Sequence, residues 1–423
     1  MQRAGRGGSR GALEPAAPAP RVTWRAALAL VATAAILAGC SSAVVAPPST
    51  RGPWTGDVIH LGAVYSSTGA GAAYGLQSIK AAQLATRRIN AAGGVKGAKI
   101  VLTVSNDNSV AATAAAATTA LITHDHVLAV LGPSLTNTAA AAHTVADRHD
   151  TVMMATSNTG LGIVGDCAYP CTWIFRDSLG EATAIPANIA QYAQAAHPST
   201  AAILYPGTTD TLGMQQGDIA ANAMPTNHIT LAADVAYADS ASNVDQAVAQ
   251  ALAVHPDVLF IAGTSATNLV ALIKAARAQG FLGQILGGNT FNSTAVATTV
   301  GSAGVGAQSA AAWFEGNQFP ANTTFVSAYE NAYHQTPDQF AAQAYTGVEL
   351  MANAAAQADL SFDDVAADRQ ALLTALEHVI LQTPLGPFKF TASHDVQQPI
   401  WIVKMDGQGG YTLVTSELAN PPS

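Results

Sequence analysis

Charged residues are scarce in this 423-residue chain, and the few that are present leave a negative balance. They make up 11% of the sequence, and 27 acidic side chains against 18 basic ones give a net charge of −9. A protein that binds nucleic acid needs a basic face to neutralise phosphates, so this balance excludes a nucleic-acid partner. Hydrophobic residues contribute 49%, too many for a disordered chain, and the length is sufficient for two domains.

Cysteine is almost absent, with only Cys40, Cys167 and Cys171 in the whole sequence. The last two stand in Cys-Ala-Tyr-Pro-Cys, and two such close cysteines usually form a disulfide in an oxidising compartment. A redox-active or metal-binding pair is the alternative. The spacing is not Cys-x-x-Cys, however, and the sequence has no second cysteine pair, so we predict the disulfide.

The N-terminal 40 residues are typical of an export signal. Arginines precede an apolar stretch over residues 26–38, which is too short for a membrane span of about 20 residues. The sequence Leu-Ala-Gly-Cys then ends at Cys40 and resembles the bacterial lipobox, whose cysteine is acylated and becomes the new N-terminus. We predict a signal peptide over 1–40, a lipid on Cys40, a flexible tether over 41–56, and a location on the extracytoplasmic face of the cell membrane. A plain signal peptide cut nearby is the alternative.

Short apolar runs alternate with longer Ala-rich segments of helical length. One such segment, residues 75–90, has apolar side chains at a spacing of three to four and ends at Gly93 and Gly94, which favour a helix stop. The alternation predicts an α/β protein with parallel sheets covered on both faces. The predicted strands are 58–64, 100–104, 127–131, 152–154, 201–205, 228–231, 258–262 and 284–286.

Two segments, 127–137 and 258–268, share one pattern: a buried strand followed by Gly-x-Ser-x-Thr-Asn. Chance similarity is possible in so simple a sequence, but two structurally similar lobes explain it better. Ligands of open parallel sheets bind at the carboxyl ends of the strands, where helix N-termini offer unpaired N–H groups and a partial positive charge. Two such loops on facing lobes predict a cleft with hydrogen-bond donors on both walls.

A series of motifs follows the same order as in a known family. They are Leu61-Gly62, Thr68-Gly69, Tyr74-Gly75, residues 88–97 (RINAAGGVKG), Asn106-Asp107-Asn108, residues 130–133 (VLGP), Phe175-Arg176, residues 276–280 (ARAQG), residues 344–347 (AYTG) and residues 386–390 (GPFKF). Together they resemble the type I periplasmic binding proteins that serve branched-chain amino acid (Leu/Ile/Val) ABC transporters. The resemblance covers about residues 57 to 416.

The resemblance implies two Rossmann-like lobes with parallel central sheets, joined by three crossings. The first lobe would comprise 57–178 plus 317–394, and the second 179–316 plus 395–416. A small-molecule ligand would be enclosed between them and delivered to an ABC transporter permease. We expect a monomer with no cofactor and no enzymatic activity. A surface sensor that signals to a membrane receptor or kinase is the alternative.

The resemblance and the repeated segment together predict six ligand-binding positions, all in loops that follow strands or open helices. They are Tyr74, Thr136, Ser157, Thr159, Ser265 and Asn289. Thr136 corresponds to a hydroxyl that binds the ligand carboxylate, and Ser157 and Thr159 lie in the loop that holds the amino and carboxylate groups. Tyr74 corresponds to an aromatic contact. Ordinary loop and capping roles are the alternative for these four residues.

Two of the family's positions differ in this sequence. Leu212 stands where the family has a tyrosine that packs on the ligand, and Asn289 stands where it has an acidic residue for the ligand ammonium. A buried ammonium without a partner is costly, so the sequence predicts a ligand that has no free ammonium, such as an amide or a carboxylate. Asp210 could supply the missing charge, which would leave an ordinary amino acid possible.

His124 and His126 are the residues most suggestive of a metal site. They precede a strand, at the end of the sheet opposite the predicted cleft, and no third ligand is close in the sequence. The Ser-x-Thr-Asn loops also lack the Gly-x-Ser-x-Gly elbow of hydrolases. We therefore expect neither metal ligands nor catalytic residues.

Overall fold

The computed structural model describes residues 58–167, 169–240 and 242–418. The predicted signal peptide, Cys40 and the tether lie outside these residues. Among the helices of this described part, none combines the length and the apolar character needed to cross a membrane.

Helices and strands alternate along the described chain. The α-helices are α1 Ala72–Ala91, α2 Ala111–Thr123, α3 Thr136–Arg148, α4 Glu181–Ala196, α5 Thr211–Thr226, α6 Val244–Leu252, α7 Ala266–Ala278, α8 Thr294–Val300, α9 Pro320–Tyr333, α10 Gln339–Gln357 and α11 Val365–Leu376. The strands are β1 Val58–Tyr65, β2 Lys99–Asn106, β3 Ala129–Leu131, β4 Val152–Ala155, β5 Ile174–Arg176, β6 Thr200–Pro206, β7 Thr230–Tyr237, β8 Val258–Ile261, β9 Gln284–Gly287, β10 Gln308–Ala311, β11 Ile380–Thr383, β12 Gly386–Phe390, β13 Val396–Gln397, β14 Pro399–Met405 and β15 Tyr411–Leu418.

The first sheet has five parallel strands in the order β2-β1-β3-β4-β5. Its first four strands match the predicted ones. The helix predicted over 75–90 is α1, which begins three residues earlier and ends before Gly93 and Gly94, both at positive φ. The fifth strand was not predicted, because β5 has only three residues and shows no periodicity.

The second sheet has seven strands in the order β15-β14-β10-β9-β8-β6-β7. Strands β6 to β10 run parallel, whereas β14 and β15 are antiparallel additions at one edge. The strand predicted over 228–231 is misplaced, since β7 runs over Thr230–Tyr237. This strand lies at the other edge of the sheet, where buried and more exposed residues alternate, so its sequence lacks a continuous apolar run.

We call the part built on the five-stranded sheet the first lobe and the part built on the seven-stranded sheet the second lobe. The core of the first lobe combines buried residues from 59–175 with others from 313–390, and α10 packs along α1. Separate apolar clusters fill both faces of the second sheet. The chain therefore passes between the lobes three times: between β5 and α4, between β10 and α9, and between β13 and β14. Arg176, at the first of these crossings, forms an ion pair with Asp395, which lies near the third.

Candidate ligand-binding site

Loops at the carboxyl ends of strands in both lobes meet one another. The Tyr74 hydroxyl, on α1, donates to the carbonyl oxygen of Thr264, which follows β8, at 2.8 Å. The Asn137 amide, at the start of α3, donates to Asp210 Oδ1 at the start of α5, at 3.1 Å. These contacts place the predicted cleft at the carboxyl edges of both sheets, where strands lead into helices.

The two Gly-x-Ser-x-Thr-Asn segments form equivalent turns. Each leads from a parallel strand into a helix, α3 or α7, through a glycine at positive φ: Gly132 at +104° and Gly263 at +146°. A Cβ on Gly132 would lie 2.2 Å from the Val64 carbonyl oxygen, and one on Gly263 would lie 2.3 Å from the Tyr237 hydroxyl. Glycine is therefore required at both positions by conformation and by space.

Thr136 and Thr159 lie together in the first lobe. The backbone N–H of Thr159 donates to Thr136 Oγ1 at 3.1 Å, so the Thr136 hydroxyl keeps its own hydrogen for another acceptor. Ser157 is buried in the same loop, and its Oγ has no hydrogen-bond partner within the described residues. These groups form a donor-rich wall beside the N-terminus of α3, suited to an anionic or carbonyl group of a ligand.

Tyr74 and Ser265 have structural contacts of their own. The Tyr74 ring is buried and packs against Phe340 with the ring centroids 4.7 Å apart. Ser265 is the N-cap of α7, and its Oγ accepts the backbone N–H of Asn268 at 3.3 Å. For Ser265 the structure thus shows the capping role that hydroxyl residues commonly have at this position.

Asn289 is buried where the second lobe meets α10. Its carbonyl accepts the Gln339 side-chain amide at 3.2 Å, and the same amide also donates to Asn289 Oδ1. Both carboxylate oxygens of Asp210 already accept backbone hydrogen bonds, Oδ1 from the N–H of Gly213 at 3.0 Å and Oδ2 from that of Thr264 at 2.6 Å. Leu212 is buried beside it.

Glu181, the first residue of α4, was not among the predicted ligand-binding residues, and it is 0% exposed. Its Oε1 accepts hydrogen bonds from Gln216 Nε2 at 2.6 Å, the Asn289 N–H at 3.0 Å and the Thr159 hydroxyl at 3.3 Å. Burial raises the pKa of Glu181 to about 7, although these bonds and the charge of Arg176 oppose the shift. An acidic residue five positions after Phe175-Arg176, in the first turn of a helix, was the available signal.

An interlobe cavity of about 470 Å³ lies to one side of these residues. Gln77 and Thr294 line it from the first and second lobes, and Glu315 lines it at a crossing. The Thr294 N–H also donates to Asp338, the residue that precedes Gln339. The residues that line the cavity include neither Asn289 and Gln339 nor Thr136 and Thr159, so the cavity is separate from the wall formed by the two threonines.

A model of the periplasmic binding protein family matches residues 58–410, which is well over half of the chain and includes both lobes and the cleft. The chain belongs to this family. The family resemblance drawn from the sequence motifs and the predicted α/β fold with parallel central sheets are both confirmed. No curated protein matches the chain.

Solved structures of other binding proteins share this fold. The branched-chain amino acid transporter substrate-binding protein LivJ from Streptococcus pneumoniae, in complex with isoleucine, is 22% identical with a TM-score of 0.75, over 86% of this chain and 100% of that one. A solute-binding protein from R. palustris in complex with benzoate is 19% identical, with a TM-score of 0.73 over 86% and 98%. A substrate-binding protein from Desulfitobacterium hafniense in complex with Leu is 20% identical, with a TM-score of 0.70 over 84% and 100%.

This binding protein carries the predicted disulfide. Cys167 and Cys171 are bonded with their Cα atoms 6.4 Å apart, in the long loop between β4 and β5.

The two histidines considered for a metal site lie in the loop before β3, where His124 is 86% exposed and bonds to its neighbour Asp125. Within the described residues, no group of three or more His, Cys, Asp or Glu side chains could hold a metal ion.

Proposed function

We propose that this chain is a lipid-anchored extracytoplasmic solute-binding protein, which encloses a small polar molecule and delivers it to an ABC transporter permease. The molecule would be of the amino acid, amide or carboxylate type. The observation that carries the proposal is the set of buried polar groups that both lobes contribute to one cleft. An enzymatic role finds no support in these residues, which offer no nucleophile–base pair.

Two of these groups lack partners among the described residues: the Ser157 hydroxyl and Glu181 Oε2. A buried polar atom without a hydrogen bond costs about 1–3 kcal/mol. A ligand that bonds to both lobes would recover this energy only when the lobes close on it, which couples binding to closure. The ligands bound in the similar structures, isoleucine, Leu and benzoate, all carry a carboxylate, which suits the wall at the N-terminus of α3.

The function is tested by thermal unfolding and calorimetry of the wild-type protein with a panel of proteinogenic amino acids, their amides, and aliphatic and aromatic carboxylates. A bound panel member at about 100 times its Kd should stabilise the protein by about 2.7 kcal/mol. Deletion of the gene should then reduce cellular uptake of that molecule. A panel in which no member stabilises the protein would contradict the proposed function. Unchanged uptake with a lost transcriptional response would indicate the sensor instead.

Asn137 is expected to hold the lobes together, because its side chain makes three interlobe hydrogen bonds. Besides the bond to Asp210, its Oδ1 accepts from the Thr211 hydroxyl at 2.6 Å and from the Leu212 N–H at 3.0 Å. We expect Asn137→Ala to weaken binding of the panel member about 10-fold or more, mainly through faster dissociation, as measured by stopped-flow fluorescence.

The repeated segment provides a matched control for this variant. Asn268 occupies the equivalent position in the second lobe, and its amide donates to the Asp239 carbonyl within that lobe. Asn268→Ala should change the dissociation rate less than about 3-fold, since it removes no interlobe bond. Equal effects of the two variants would show that Asn137 has no role in closure.

A further inference from the structure

An apolar groove lies at the amino end of the first sheet, remote from the cleft. Two adjoining cavities of about 150 Å³ and about 300 Å³ form it, and Val95 and Lys96 line both of them. The apolar lining of the smaller cavity comes from β1, the turn before β2, α10 and the segment after it: Ile59, Val95, Ala98, Ala355, Leu360 and Phe362. An apolar cavity of this size accommodates an aromatic ring.

The wall of the groove contains strained backbone at Phe362, whose φ is +58°. Bulky side chains rarely adopt this conformation, and such strain persists only where the surroundings impose it. Here Asp368 on α11, which is 2% exposed, holds the turn: it accepts the backbone N–H of Ser361 at 2.6 Å and that of Phe362 at 3.0 Å. The fold therefore tolerates strain at a residue that keeps its aromatic ring in the lining of the groove.

The chain that precedes β1 enters the fold beside this groove. Ile59, the second residue of β1, belongs to the lining, and residues 49–57 (STRGPWTGD) come directly before the strand, outside the described part of the chain. Trp54 is the only aromatic residue between Cys40 and β1. It precedes the strand by four positions, so its backbone lies within about 14 Å of the start of β1. Its indole ring can therefore reach the groove.

The charges of the segment complement those of the groove. Lys96 and Asp359 are the charged residues that line the smaller cavity, and neither has an ion-pair partner among the described residues. The segment carries one charge of each sign as well, Arg51 and Asp57. Exposed ion pairs contribute little free energy, so these charges would set the position of the segment while the apolar contact supplies the affinity.

We propose that residues 51–57 dock on the first lobe of the same molecule, with the Trp54 indole in the groove beside Phe362. The length that remains between the predicted lipid anchor and the docked segment is then residues 41–50. Its greatest span falls from about 60 Å, for residues 41–57, to about 35 Å. The docked segment thereby limits how far the binding protein can move from the membrane. This inference is independent of the solute and of the proposed transport function.

The first test measures tryptic cleavage after Arg51 in the mature protein in detergent micelles, followed by mass spectrometry. A docked segment is cleaved only while it is transiently released, so Trp54→Ala and Phe362→Ala should each accelerate cleavage at least about 10-fold. Phe362→Ala leaves the sequence around the cleaved bond intact. The control is Leu282→Ala, which removes a 93% exposed side chain of the second lobe and should change the rate less than about 2-fold. Equal rates for Trp54→Ala and the wild type would overturn the inference.

The second test follows Trp54 fluorescence and does not depend on a variant in the folded lobe. The other tryptophans of the mature protein, Trp173, Trp313 and Trp401, are no more than 8% exposed, so the difference between the wild type and Trp54→Phe isolates Trp54. Iodide should quench this emission at least about 3-fold less in the folded protein than in urea. Equal quenching in both states would show an undocked indole. Protection that disappears on 100-fold dilution would assign the groove to a second copy and overturn docking within one molecule.

Discussion

Replacing Cys40 by alanine is expected to release the protein from the membrane and to abolish incorporation of labelled palmitate. Each buried methylene of an acyl chain contributes about 0.8 kcal/mol to membrane binding, so several chains on one cysteine anchor a protein firmly. Metabolic labelling and membrane fractionation of cells that express each variant measure both effects.

The control keeps Cys40 and removes the other two cysteines. A Cys167→Ala, Cys171→Ala double variant loses the disulfide but retains the predicted lipobox, so it should still be labelled and should remain in the membrane fraction. If Cys40→Ala is labelled as strongly as the wild type, the lipid anchor is wrong and a plain signal peptide takes its place.

Replacing Arg369 by alanine is expected to lower the free energy of unfolding by about 3–5 kcal/mol. Arg369 lies on α11 with 7% of its surface exposed, and its guanidinium donates to three backbone carbonyls of the first lobe. The Val127 carbonyl accepts from Nη2 at 2.6 Å and from Nε at 3.1 Å, while those of Ile122 and His149 accept at 3.4 Å. The variant leaves these carbonyls without that donor and opens a cavity beneath α11.

Urea unfolding followed by circular dichroism measures this loss. Arg148, at the end of α3, is exposed, so Arg148→Ala serves as the control and should change the free energy of unfolding by no more than about 0.5 kcal/mol. Equal unfolding midpoints for Arg369→Ala and the wild type would mean that the buried guanidinium contributes nothing net to stability.

The fold was largely predictable where strands are buried on both faces. Strands such as β1 and β8 are continuous apolar runs bounded by loop residues, and local sequence suffices to recognise them. Three of the misplaced or missed strands have a common cause. The edge strand β7 alternates in burial, β5 has three residues, and β15 is a half-exposed antiparallel addition. Their conformation depends on a neighbouring strand that local periodicity does not reveal.

The candidate site was predictable only in part. The positions of Thr136, Ser157 and Thr159 followed from motif order, since loops after parallel strands collect at one edge of a sheet. Motif order did not show that residues at equivalent positions of the repeat have different roles. Asn137 contacts the other lobe, whereas Asn268, its counterpart in the repeat, bonds within its own lobe. The two segments are alike locally and differ in what the rest of the chain places opposite them.

The sequence by itself determined the alternation of strands and helices and the glycines that turn each strand into a helix, and it predicts an export signal with a lipobox. These features depend on residues close together in the chain. The electrostatics of the cleft were decided only by the tertiary structure. Position 289 lacks an acid, yet the carboxylate of Glu181, 108 residues earlier, accepts the Asn289 N–H at 3.0 Å. A charge acts through space over a few ångströms, and a sequence position does not show which distant side chain the fold brings to it.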